Sequence, residues 1–183
     1  MSRAVTQEAV LHFWFEESTP SQWFKKDSDF DEKIRTRFST AIESALEGKL
    51  DHWTETLEGC VALILVLDQF TRNAFRDTPK AFAGDKKALS LSKLCQERGY
   101  LTHPDQDLRH FMLIPMMHSE DITVQEASLP LFKDNTDERT YSFAVRHRDL
   151  IEMFGRYPHR NRILGRKSTE EEEAFLEQPG SGF

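Results

Sequence analysis

The sequence predicts an all-α fold of eight or nine helices joined by short loops. Three observations predict it. Apolar residues recur at i, i+3 and i+4 in one segment after another. Nothing in the chain shows the clean alternation of a half-buried strand. Helix start and stop signals punctuate it throughout: Ser, Thr or Asp before an apolar run, Pro at a first turn, Gly at an end.

In order, Thr6 caps a first helix from Gln7 to Glu16, with Val10, Phe13 and Trp14 on one face. Pro20 breaks it, and Trp23 and Phe24 form a short apolar plug. Asp27 or Ser28 starts a long helix to about Glu47, whose buried stripe is Phe30, Ile34, Phe38, Ala41, Ile42 and Ala45. Gly48 ends it. Leu57 to Phe70 is an apolar helix buried nearly all round; its β-branched residues Val61, Ile64 and Val66 make strand the competing assignment. Thr78-Pro79 opens a helix that runs to Arg98 and stops at Gly99. His103-Pro104 starts the next, in which Pro115 predicts a kink or break near Leu113. Asp121 caps another, with Pro130 late in it. Glu138 to Tyr157 is a strong helix closed by Pro158. Thr169 with Glu172 is a capping box for a short helix to Glu177. The expectation is one domain over residues 1–183, with 178–183 a tail.

Composition narrows the function classes. A net charge of -7 argues against broad nucleic-acid binding. The 14 phenylalanines predict an aromatic-rich core. The longest apolar run, Cys60 to Leu67, is far short of the ~20 residues a membrane span needs. The N-terminal segment carries charges and no signal-peptide pattern. Cys60 and Cys95 read as reduced, buried thiols of a cytoplasmic protein.

Charge is unevenly spread. Between Arg139 and Lys167 lie eight Arg/Lys (139, 146, 148, 156, 160, 162, 166 and 167) against Asp149 and Glu152. Three polar blocks stand out, each with a purely structural alternative. Asp68, Gln69, Arg72 and Asn73 follow an apolar helix, where a carboxylate needs partners; a helix-end ion pair would explain them equally well. His118 and Glu120 form an HxE triplet, but ligands at i and i+2 do not share a helix face, so no metal is assigned; His118 at a helix C-terminus is the plainer reading. His147 falls on the apolar stripe of Phe143, Leu150, Ile151 and Phe154, where a histidine is often a core residue, yet Arg148 adjoins it. Arg156, His159, Arg160, Asn161, Arg162 and Arg166 crowd a turn framed by Gly155, Pro158 and Gly165; a solvated basic loop pairing with Glu170 to Glu173 is the competing picture.

The blocks LHFWF (11–15), LDQFTRNAFRDTPKAFAGD (67–85), PMMHSED (115–121), HRDLIEMFGRYPHRNRILGRKSTEEE (147–172) and FLEQPGSGF (175–183) resemble the mostly bacterial family called domain of unknown function 924, over essentially the whole chain. Thr71 stands where the family pattern has proline, and Tyr157 where it has phenylalanine. The resemblance implies a right-handed, tetratricopeptide-like stack of antiparallel helices. It implies no reaction and no cofactor.

The functional expectation is a groove where the three blocks converge on a small anionic molecule or an acidic peptide end, with Arg72, Arg148 and Arg160 meeting the charge. The alternative is a hydrolase-type enzyme in which His118 or His147 is the base, oriented by Glu120 or Asp68. No nucleophile motif or phosphate loop supports that alternative. Neither nucleic acid nor membrane is an expected partner. Aromatics near Trp14 or Trp23 are a candidate homodimer surface.

Overall fold

A computed structural model describes residues 5–182, and all its regular elements there are helical. Helix α1 (Gln7–His12) starts where the Thr6 hydroxyl accepts the Ala9 N–H, and continues as a wider π-helical turn, Phe13–Glu17. A short α2 (Pro20–Phe24) follows, then α3 (Ser28–Leu46), capped by the Asp27 carboxylate. The predicted stripe of α3 is buried at all six positions, and Asp31 is buried with it.

The apolar run is helical, and it is the axis of the molecule. Helix α4 (Leu57–Ile64) widens into a π-helical turn, Leu65–Phe70, and runs straight into α5 (Thr71–Ala74). Helices α1, α6 and α7 pack around α4, while α3 packs on the wide turn and on α5. So enclosed, every residue from Gly59 to Asp68 is buried, which removes the advantage a strand would draw from its β-branched residues. The core is aromatic-rich as the composition predicts: Phe13, Trp14, Phe30, Phe38, Phe70 and Phe111 meet in stacked, tilted and edge contacts. Trp14 is fully buried, so it is no part of an exposed aromatic surface. Trp23 lies against it, and Phe24 is the exposed member of the group.

The second half comprises α6 (Asp85–Glu97), α7 (Gln106–Met117), α8 (Ile122–Asn135), α9 (Glu138–Phe154) and α10 (Glu170–Leu176). From α6 to α9 each helix packs on the next. Four boundaries differ from expectation. The helix predicted from Thr78 is a 3-10 turn, Pro79–Phe82, and α6 begins afresh at Asp85. Asp105, two residues past His103, caps α7. That helix runs unbroken through Pro115; the proline sits near its end, where few later bonds depend on it, and its flanks are held by buried residues from Phe111 to Met117. Helix α9 stops before Tyr157, because Gly155 takes a left-handed conformation (φ +69) and its N–H closes onto Ile151 O. Thr169 and Glu172 form the predicted capping box, and Phe183 of the tail lies outside the described residues. Among the described residues, no helix is long and apolar enough to cross a membrane.

Candidate functional site

Asp68 lies in the wide turn that joins α4 to α5, a place where helices often carry functional groups. It is fully buried. An isolated carboxylate would be strongly disfavoured there, and Asp68 is not isolated. It accepts hydrogen bonds from His118 Nδ1 at 2.7 Å, Gln69 Nε2 at 2.7 Å and Arg72 Nη1 at 3.2 Å. Burial pushes its carboxyl up, but the neighbouring His118 and Arg72 and these hydrogen bonds outweigh it, holding the group well below the usual carboxylate range. Burial and then the Arg72 charge push His118 down, against the pull of Asp68 and Asp85. One state satisfies both directions: Asp68 ionised beside Arg72, and His118 neutral, donating Nδ1–H to it. That tautomer leaves the His118 Nε2 lone pair open. Among the described residues Nε2 makes no hydrogen bond, and the side chain is 18% exposed.

Two further groups complete the cluster. Asp85, the first residue of α6, takes a two-pronged contact from Arg72, 2.7 Å to one oxygen and 3.0 Å to the other. Arg160 comes from the turn after α9. It is 6% exposed, donates to His118 O at 2.9 Å, and reaches Asp85 at 3.4 Å. Its guanidinium lies 4.7 Å from the Phe82 ring centre and 4.8 Å from that of Tyr157. Its buried Nε has no hydrogen-bond partner among the described residues. Tyr157 is buried, donates its hydroxyl to Met117 O and accepts from Gln125. Glu120 accepts the Tyr157 N–H and both arms of Arg166, which fastens the turn to the end of α7.

The structure therefore brings together Asp68, Gln69, Arg72, His118 and Arg160, with Glu120 at the rim. His159 adjoins the cluster, its ring 5.6 Å from that of Tyr157; burial pushes it down to about 4. His147 contacts Tyr157 edge-on, donates Nδ1–H to Phe143 O at 2.7 Å, and is pushed down by burial to about 3. The remaining predicted residues are not brought to it. Asn73 turns away to Asp31, which Arg76 also grips. Arg148 pairs with Asp149 and Glu152 on the outside of α9. Arg156 and Asn161 both bind Glu172, whose carboxyl the Arg156 hydrogen bond brings down to about 2.

Sequence reasoning missed two members. Asp85 falls inside the longer helix that the sequence predicts from Thr78; the Gly84-Asp85 pair in the AFAGD block is its available signal. Arg166 belongs to the basic turn that the sequence marks out, with its partner Glu120 undecided; Phe82 gave no signal, since its role depends on which helices meet. Arg72, Arg160 and Arg166 face Asp68, Asp85 and Glu120, so the cluster is electrically balanced when His118 is neutral. Glu120 is committed to Arg166 and His118 to Asp68, so the HxE triplet does not converge, and among the described residues no three His, Cys, Asp or Glu are grouped to hold a metal. Two surface depressions lie elsewhere. One, of about 370 Å³, is bordered by Thr6, Gln7, His52 and Trp53; the other, of about 250 Å³, by Arg146, Leu150, Phe175 and Pro179.

A family model described as a bacterial protein of unknown function (DUF924) matches residues 10–180. A solved structure of a protein of unknown function from Agrobacterium tumefaciens is similar, with a TM-score of 0.89 and 38% identity, over 94% of this chain and 97% of that one. No functionally curated protein matches the chain.

Proposed function

The chain belongs to the DUF924 family of bacterial proteins of unknown function, and from that starting point we propose that the Asp68–His118–Arg160 cluster binds a small anionic molecule or the acidic end of a peptide. One observation carries the reading. Arg160 is a buried guanidinium whose Nε–H is unused among the described residues, and it is hydrogen-bonded to the backbone of His118, a largely buried histidine whose Nδ1 is taken by Asp68. Buried donors in native proteins usually have an acceptor, so an unused one calls for a partner. The aromatic faces of Phe82 and Tyr157 hold the guanidinium in place beforehand, which lowers the ordering cost of binding.

Thermal unfolding with sulfate, phosphate, and a tetrapeptide bearing a free or an amidated C-terminus tests this. Saturable stabilisation is expected for at least one anion, lost in Arg160→Ala and reduced in Arg160→Lys, with helical content by circular dichroism intact. Stabilisation unchanged in both variants would overturn the proposal.

A second reading rests on a different feature. A histidine whose Nδ1–H is held by a buried carboxylate and whose Nε2 is open has the orientation of a general base. His118, with Asp68 as its orienter, then suits that role better than His147, whose Nδ1 is taken by a backbone carbonyl. Turnover of an ester and phosphoester panel by the wild type, lost in His118→Asn, would support it. Absence of turnover on the panel, with and without divalent metals, favours binding alone. The successive packing of α6 to α9 supports a tetratricopeptide-like stack around this site, and the two free thiols support a cytoplasmic setting.

A further inference from the structure

Resting on the anion-binding reading above, we propose that the anion enters this cluster together with one proton, taken up on His118 Nε2. Without a ligand, the charges of this largely buried cluster cancel. Two arginines, Arg72 and Arg160, face two carboxylates, Asp68 and Asp85, and the outer pair Arg166–Glu120 is balanced as well. An anion added to this set leaves uncompensated negative charge among groups that are mostly buried, which is unfavourable. One proton on His118 removes the imbalance for a monoanion and halves it for a dianion such as sulfate. Nδ1–H already donates to Asp68, so a new Nε2–H has the anion as its acceptor, and both ring nitrogens are then satisfied.

The surroundings of His118 set the sign. From α5 it faces the positive Arg72, and from the wide turn the negative Asp68. Asp85 faces it from α6. His110 on its own helix and His147 on α9 are neighbouring imidazoles, and Arg160 binds its carbonyl from the turn that also carries His159. Without a ligand, burial and Arg72 keep the ring neutral. An anion at Nε2 supplies the missing counter-charge. By reciprocity, whatever favours the proton also favours the anion, so affinity should rise as pH falls, by at most about tenfold per pH unit for one proton.

Sulfate is the suitable probe, because its own charge is constant across this range. Calorimetric titration of the whole protein with sulfate, in two buffers of different ionisation heat, counts the protons taken up. About one per sulfate is expected, falling to none in His118→Asn, which keeps a donor to Asp68. In the wild type, the His118 ring signals followed by NMR should titrate at higher pH with sulfate than without it, a readout that needs no variant to fold. Sulfate binding without proton uptake, or uptake that persists in His118→Asn, would overturn this inference and leave the binding proposal standing. Failure of sulfate, phosphate and the free-carboxylate peptide alike to bind would overturn both.

Discussion

Gly84 rests on the Leu67 carbonyl so closely that a Cβ there would lie 2.0 Å from the oxygen. The same oxygen accepts the Thr71 hydroxyl at 2.7 Å. This approach presses the start of α6 against the wide turn of the axial helix. It is what sets Asp85 opposite Arg72, one residue after the glycine and one turn after the carbonyl. Gly84→Ala must push the two elements apart. It should destabilise the protein by about 2 kcal/mol in urea unfolding and weaken sulfate-induced stabilisation at the same time. Wild-type behaviour in both measurements would mean that the approach relaxes without consequence.

Asp68 is a buried charge with three donors on it, so its removal strands His118 and leaves Arg72 to Asp85 alone. Asp68→Ala should destabilise by about 3 kcal/mol, because Asp85 remains to hold Arg72 but nothing replaces the acceptor for His118. Asp68→Asn keeps the shape and one acceptor oxygen and should be milder. Urea midpoints at neutral pH order the two; equal effects would show that the volume matters and the charge does not.

Acid should weaken the fold as pH falls below about 6.5, through three largely buried histidines. Burial holds His147 at about 3 and His159 and His110 at about 4, against an ordinary histidine value of 6.5. The unfolded chain takes up protons on these rings from about pH 6.5 downward, and the folded chain does not. Their contribution is whole above that value, declines as pH falls toward 4, and levels off once the folded groups titrate. The loss is at most on the order of 3 kcal/mol for His159 or His110 and about 5 kcal/mol for His147. Urea midpoints measured across this window should fall with pH. In His147→Leu the fall should be shallower, and an unchanged slope would count against His147.

The Asp31–Asn73–Arg76 network is a separate test of where the site ends. Asp31 is buried and gripped by both partners, on the α3 side of α5. Arg76→Ala should lower stability by about 2 kcal/mol while leaving the sulfate-induced shift in melting temperature at its wild-type size. A lost shift would extend the site to this face.

Much of this molecule can be read from residues close together in the chain. Caps at Thr6, Asp27, Asp121 and Thr169 act within three or four residues, as does the glycine that ends α9, and so their chemistry is visible as spacing. The stripe of α3 is equally local, because a helix repeats every 3.6 residues wherever it packs. That the polar blocks at Asp68, His118 and Arg160 converge was suggested by their places at helix ends.

The tertiary structure alone decided their partners. His118 is bonded to a carboxylate 50 positions away and Arg160 to one 75 away, while Asn73 and Arg148, in the same blocks, turn to other neighbours. Asp85 entered the site only because Gly84 lets α6 touch the Leu67 carbonyl. A side chain at a helix end can point toward any of several packed neighbours. The choice among them is made by the register in which close-packed helices lock, and that register is a property of the whole core rather than of any segment.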